Sequence, residues 1–172
     1  METTKIRVER VNKNCSTEAG TYLIIVGEKT ANEEILVFVP DSIQPNGKEI
    51  GLDIIKTDIG ITYIKVTARD YEEIYYACGT EKGKRIVVVE KGTLKICEIE
   101  GQNFFLATRE NKTKTLYNDD GYELVTASNN EEIDIIKIDT ELYIRKVDGI
   151  INKEEYYDLC GELEEGIVQY KL

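Results

Sequence analysis

The sequence predicts an all-β protein made of internally duplicated antiparallel units. Three observations predict it: a hexapeptide written twice, turn signals at short and regular intervals, and no stretch with a capped helical period. "DIIKTD" begins at Asp53 and "DIIKID" at Asp134, 81 residues apart. The hexapeptides have company. "TYIKV" from Thr62 answers "LYIRKV" from Leu142, and "EEIYYACG" from Glu72 answers "EEYYDLCG" from Glu154. Upstream, "GTYLIIVGEK" from Gly20 matches "GQNFFLATRE" from Gly101, while Cys15 and Cys97, like Cys78 and Cys160, stand 82 residues apart. A series of matches in one order, with one-residue slips, reads as an internal duplication with a period of about 82 residues.

A finer period of about 41 residues runs beneath it, each unit reading Gly, an aromatic-led strand, a polar turn, Glu-Glu and another strand. It is clearest between the stretches from Gly20 and from Gly60. Within the units, "TYIKVTA" and "EEIYYAC" are short, rich in Ile, Val, Tyr and Thr, and bounded by polar turns, which is the strand signature. "KRIVVVE" is a continuous apolar run, as expected of a strand covered on both faces. "PNGKE", "ARDYEE", "EKGT", "NDDG", "SNNEE" and "VDG" supply the turns. "NKEEYYDLCGELEEG" is the best helix candidate, but its counterpart from Glu72 reads as strand. Counting gives about sixteen strands, four per unit.

Four four-stranded units of about forty residues are the arithmetic of a small β-propeller-like ring. Two tandem barrels or sandwiches of about 82 residues are the alternative. The halves are residues 1–86 and 87–172, unless 1–172 is one closed domain. "IRVERV" near the start and "IVQYKL" at the end could pair to remove an open edge.

Composition narrows the role. With 41% hydrophobic and 32% charged residues in 172, the chain suits a globular protein able to bury a core. No apolar run is long enough to span a bilayer and the start has no signal-peptide pattern, so a cytoplasmic protein with no membrane partner is expected. The four cysteines include no Cys-x-x-Cys pair and are expected to be buried apolar thiols. The net charge of −11 argues against direct nucleic-acid binding, which needs a basic patch. Residues 1–86 hold 12 Lys+Arg and 14 Asp+Glu, whereas residues 87–172 hold 10 and 19. Any partner steered by charge should therefore be basic and meet the second half.

No reaction is written in the chain. It contains no histidine, which removes the usual neutral-pH base, His-based metal sites and Ser-His-Asp or Cys-His catalysis. Asp53, Asp58, Asp134 and Asp139 are the recurring carboxylates, and they read as strand-end or turn residues. "YNDDGYE" lacks the spaced ligands of a calcium loop and reads as a hairpin turn. There is no glycine-rich phosphate loop. Neither a cofactor, nor a metal site, nor a catalytic residue is expected.

What stands out is tyrosine: 11 of them, with no Trp and 3 Phe. Tyr63 matches Tyr143, and the doublet ending at Tyr76 matches the doublet ending at Tyr157, one ring of each doublet facing in and the other out. Outward tyrosines give large contact area at low entropic cost. Tyr63, Tyr76, Tyr143 and Tyr157 are therefore the candidate ligand- or partner-binding residues. Lys84 and Arg85, which with Lys82 form the densest basic cluster, complete the set. The expected function is a non-enzymatic binding or adaptor protein, engaging a protein partner or small ligand through a repeat-built surface. The alternative is an acidic inhibitor or decoy, a nucleic-acid mimic or small-molecule sponge of the kind a virus or mobile element would encode. Oligomeric state is left open.

Overall fold

The computed structural model describes residues 4–11, 20–27, 33–40, 50–68, 71–76 and 84–165, with backbone alone for the first three stretches. Every regular element there is a strand. They are β1 (Thr4–Val11), β2 (Gly20–Gly27), β3 (Glu33–Pro40), β4 (Ile50–Lys56), β5 (Thr62–Ala68), β6 (Tyr71–Tyr76) and β7 (Arg85–Glu90). After them come β8 (Gly92–Ile99), β9 (Gln102–Arg109), β10 (Lys114–Asn118), β11 (Glu123–Ala127), β12 (Glu131–Ile138), β13 (Glu141–Asp148) and β14 (Lys153–Tyr157). The described part of the helix candidate, from Asn152 to Glu165, forms no helix; it is β14 followed by a tight turn.

These strands make four antiparallel sheets, β1-β2-β3, β4-β5-β6-β7, β8-β9-β10-β11 and β12-β13-β14, each pairing its strands in chain order. None of the four closes on itself among the described residues, so they contain neither a barrel nor a closed ring. The chain divides into two compact units, Met1–Glu90 and Lys91–Leu172.

The two hexapeptides occupy matching places. Asp53 faces Lys65 across β4 and β5, and Asp134 faces Arg145 across β12 and β13. One step on, Ile54 faces Ile64 and Ile135 faces Ile144. On the third strand Ile64 faces Tyr75 and Ile144 faces Tyr157, while Val66 faces Glu73 and Lys146 faces Glu155. Asp53 and Asp134 are thus exposed mid-strand residues rather than turn or strand-end residues; Asp134 follows the buried Ile133 as side-chain alternation expects, whereas Ile54 beside Asp53 is itself 48% exposed. Asp58 and Asp139 do lie in turns.

In the second unit the core joins its two sheets. Phe104, Leu116, Val125 and Ala127 of one pack with Ile133 and Ile144 of the other. In the first unit Tyr63, Ile64, Val66, Ile74, Val87 and Val89 are buried. The most enclosed strand there is not the apolar one. "RIVVVE" is the edge strand β7, with Val87 and Val89 buried and Val88 40% exposed, so one face of it meets solvent. β6, "YEEIYY", is buried on both faces from Tyr71 to Tyr75. An interior place in the sheet decides this, and apolar content does not.

Among the described residues one turn is used four times. Thr57, Asn118 and Asp158 each donate their N–H to the carbonyl four residues on (2.9, 3.0 and 2.9 Å). Each also accepts, on its own carbonyl, the N–H of a glycine three residues on: Gly60, Gly121 or Gly161, all at 3.0 Å. Those glycines have φ of 84, 86 and 87°, the left-handed residue that ends a three-residue hairpin loop. The first side chain secures the loop: Asn118 Oδ1 accepts from Tyr122 N–H at 2.8 Å, and Asp158 Oδ1 from Glu162 N–H at 2.9 Å. The fourth copy runs from Arg109 to Thr113 and places Lys112 at the left-handed position, φ 70°.

Holding a side chain there costs about 1–2 kcal/mol, of which glycine's greater freedom when unfolded returns about 0.5–1. Lys112→Gly should therefore raise stability in urea unfolding by about 0.5–1 kcal/mol. Gly161→Ala should destabilise more than Gly60→Ala, because a Cβ at Gly161 would lie 2.6 Å from the Leu124 carbonyl oxygen while the space at Gly60 is open. Equal losses at the two glycines would show that backbone conformation alone governs them.

Candidate functional site

Strand alternation puts residues i and i+2 on one face, and this chain uses the spacing to pair glutamate with tyrosine. The Tyr143 hydroxyl donates to Glu141 Oε2 at 2.8 Å, Tyr156 to Glu154 Oε2 at 2.6 Å, and Tyr157 to Glu155 Oε2 at 2.6 Å. Tyr75 donates to Glu73 in the same way. Tyr75–Glu73 and Tyr157–Glu155 hold matching registers in the two units, so Tyr157 corresponds to Tyr75, one residue before Tyr76.

The environments of this matched pair differ. Glu73 is 1% exposed, and its further contact is Arg85 Nη1 at 3.4 Å. Burial pushes its carboxyl above the ordinary value, against the opposing effects of Tyr75 and Arg85. Burial also raises the Tyr75 phenol, and Glu73 adds to it. Glu155 has Lys153 Nζ at 2.9 Å and Lys146 Nζ at 3.8 Å. The bonds from Tyr157 and Lys153 hold its carboxyl below the ordinary value. Burial works to lower Lys146, but Tyr157, Glu131 and Glu155 outweigh it and lift the ammonium; its Nζ also lies 5.4 Å from the Tyr157 ring centroid. Next to them, burial and then Glu154 push Tyr156 up to about 12. Arg145 forms a two-pronged pair with Asp134, at 2.9 and 2.5 Å.

The predicted site residues fall into two groups, each at one end of its sheet. In the first unit Tyr63 faces Tyr76 across β5 and β6, their rings edge-on with centroids 5.8 Å apart. The Tyr76 N–H donates to the Lys84 carbonyl at 2.9 Å, and Arg85 begins the next strand. The structure thus brings Tyr63, Tyr76, Lys84 and Arg85 together, but Tyr63 is 1% exposed and belongs to the core. Lys84 and Arg85 are exposed; Lys82 lies outside the described residues. In the second unit Tyr143 and Tyr157 are half-buried. No ring of either doublet turns fully outward: Glu-x-Tyr bonds lay Tyr75, Tyr156 and Tyr157 along the strands, and the Tyr76 ring lies against Tyr63.

The second unit has an acidic end. The β8–β9 turn at Glu100 and the β10–β11 turn at Asp119–Tyr122 share one end of their sheet, since strands alternate in direction. The β12–β13 turn at Asp139 and the loop at Asp158–Glu162 share one end of the other sheet, and a bridge from Tyr157 to Leu163 follows. Lys137 Nζ to Glu100 Oε1, at 2.6 Å, joins those two ends. Close approach of Gly161 to the Leu124 backbone joins them a second time. Glu100, Asp119, Asp120, Asp139, Glu141 and Glu162 are all exposed there. Glu141, Glu164 and Asp139 together raise the Tyr143 phenol, Glu141 most strongly through its hydrogen bond. Amid these carboxylates Tyr122 stands 70% exposed and Leu163 48%.

Sequence reading missed Tyr122, although "NDDGY" was in view. The signal was the turn itself: the residue after a left-handed glycine at a hairpin tip has few neighbours to cover it. Among the described residues, no three Asp, Glu, Cys or His side chains gather as a metal-binding group, and no helix is long and apolar enough to cross a membrane. Cys160 is exposed in its turn, contrary to the buried thiol expected, because the tight loop carries it outside the sheet. Cys97 is half-buried, and burial raises its thiol. Cys15 and Cys78 lie outside the described residues. No family model, curated protein or solved structure matches this chain.

The two glutamates should respond oppositely to pH. A lowered folded-state value means Glu155 contributes stability above the ordinary carboxylate range and loses it as pH falls through the lowered value. Glu73 has a raised value, so its charged form opposes folding near neutrality and the opposition disappears on acidification. Glu155→Gln should cost about 1 kcal/mol at neutral pH and weaken the acid dependence. Glu73→Gln should match or exceed the parent at neutral pH and lose that advantage toward pH 4. Urea unfolding at the two pH values measures both; a large neutral-pH loss in Glu73→Gln would contradict the assignment.

Proposed function

We propose that this is a non-enzymatic binding protein that receives a basic protein partner at the acidic end of its second unit. The observation that carries the reading is that four turns of the two sheets lie at one end, where they expose carboxylates and the Tyr122 ring. Such a surface attracts cationic side chains at long range, and Tyr122 offers an arginine a face to stack on while Asp119 and Asp120 accept its N–H groups. The carboxylates of Glu73, Glu154 and Glu155 take no part in this, being committed to phenols, a lysine and Arg85 within the sheets. A second reading draws on the same carboxylates: an inhibitor that occupies the phosphate-binding surface of a nucleic-acid-binding protein. A cytoplasmic setting, where such partners abound, suits both.

We also propose that the four sheets are copies of one unit of about 41 residues, paired into the longer repeat. The shared registers of β4-β5-β6 and β12-β13-β14, and the turn repeated at Thr57 and Asp158, support it. A four-unit ring is the preferred arrangement, with two tandem domains as the alternative. Limited trypsin digestion separates them: a ring cut near Lys91 should lose both halves together, whereas tandem domains should leave a stable fragment of about half the chain.

For the function, the tagged protein is used to capture partners from lysate of its own source, alongside Asp119→Asn/Asp120→Asn/Glu162→Gln and Tyr122→Ala variants. The expected partner is basic and is released by moderate salt. Its retention should fall at least tenfold in the triple variant and severalfold in Tyr122→Ala. Retention by the triple variant, or indifference to salt, would reject the acidic end. Displacement of nucleic acid from the captured partner would favour the inhibitor reading over the adaptor.

A further inference from the structure

We draw no further inference here: the strongest candidate, the apolar tip of the β13–β14 hairpin where Ile150 and Ile151 stand 72% and 65% exposed, carries nothing, because nothing in the structure shows what covers it.

Discussion

The structure depends on a constraint that falls on its interior strands: a strand covered on both faces must satisfy every polar side chain it carries. β6 carries two glutamates in succession, so one points to each face. Glu72 meets Lys65 at 3.1 Å on the neighbouring strand. Glu73 meets the phenol of Tyr75 on its own strand and Arg85 on the next. A phenol suits this place well, since it donates one hydrogen bond and brings an apolar ring that fills the space above the strand. In a chain without histidine or tryptophan, tyrosine is the one aromatic that can both pack and satisfy a carboxylate. Tyr75, Tyr143, Tyr156 and Tyr157, four of the chain's eleven tyrosines, bond a glutamate two residues before them in this way.

The second unit solves the same problem with more charge and less burial. Glu155 keeps its tyrosine but adds two lysines, and the carboxyl is held charged where that of Glu73 is pushed toward neutrality. Matching strand registers can therefore carry different electrostatics. Glu100, Asp119, Asp120, Asp139, Glu141 and Glu162 lie exposed at the end where its turns converge, and the opposite end carries the exposed Ile150 and Ile151. The two ends of one small unit are thus chemically distinct, although the strands between them are ordinary.

The parts of the fold legible in the sequence are those governed by short-range physics. All-β character, the turns at "NDDG", "SNNEE" and "VDG", and the shared place of the two hexapeptides follow from local periodicity and turn chemistry. Burial was less legible. "RIVVVE" looks enclosed but lies at an edge, whereas "YEEIYY" looks half-polar but is interior. The groups that make Glu72 and Glu73 tolerable inside are Lys65 on the strand before and Arg85 on the strand after, and only the assembled sheet brings them close. How far the outer ring of each tyrosine doublet stands out was not legible for the same reason. A doublet on a strand suggests one ring outward, yet partners on the same strand draw the rings of Tyr156 and Tyr157 down against it. Tyr122, beyond any strand, has no such partner to hold it and stands in solvent.

Pairing in strict chain order bears on how the protein is made. Every hydrogen-bonded strand neighbour in the described sheets is also a neighbour in sequence, so each ladder closes over a short loop. Short closures are entropically cheap and fast, with hairpins forming in about 1–10 μs. A chain emerging from the ribosome at about 5–20 residues per second leaves ample time for each sheet to complete its ladders before the next one is synthesised. Four local, successive closures limit the time that unpaired strand edges spend exposed. An acidic β-rich chain of this kind can therefore fold as it is translated, with little opportunity for its edges to find those of another molecule.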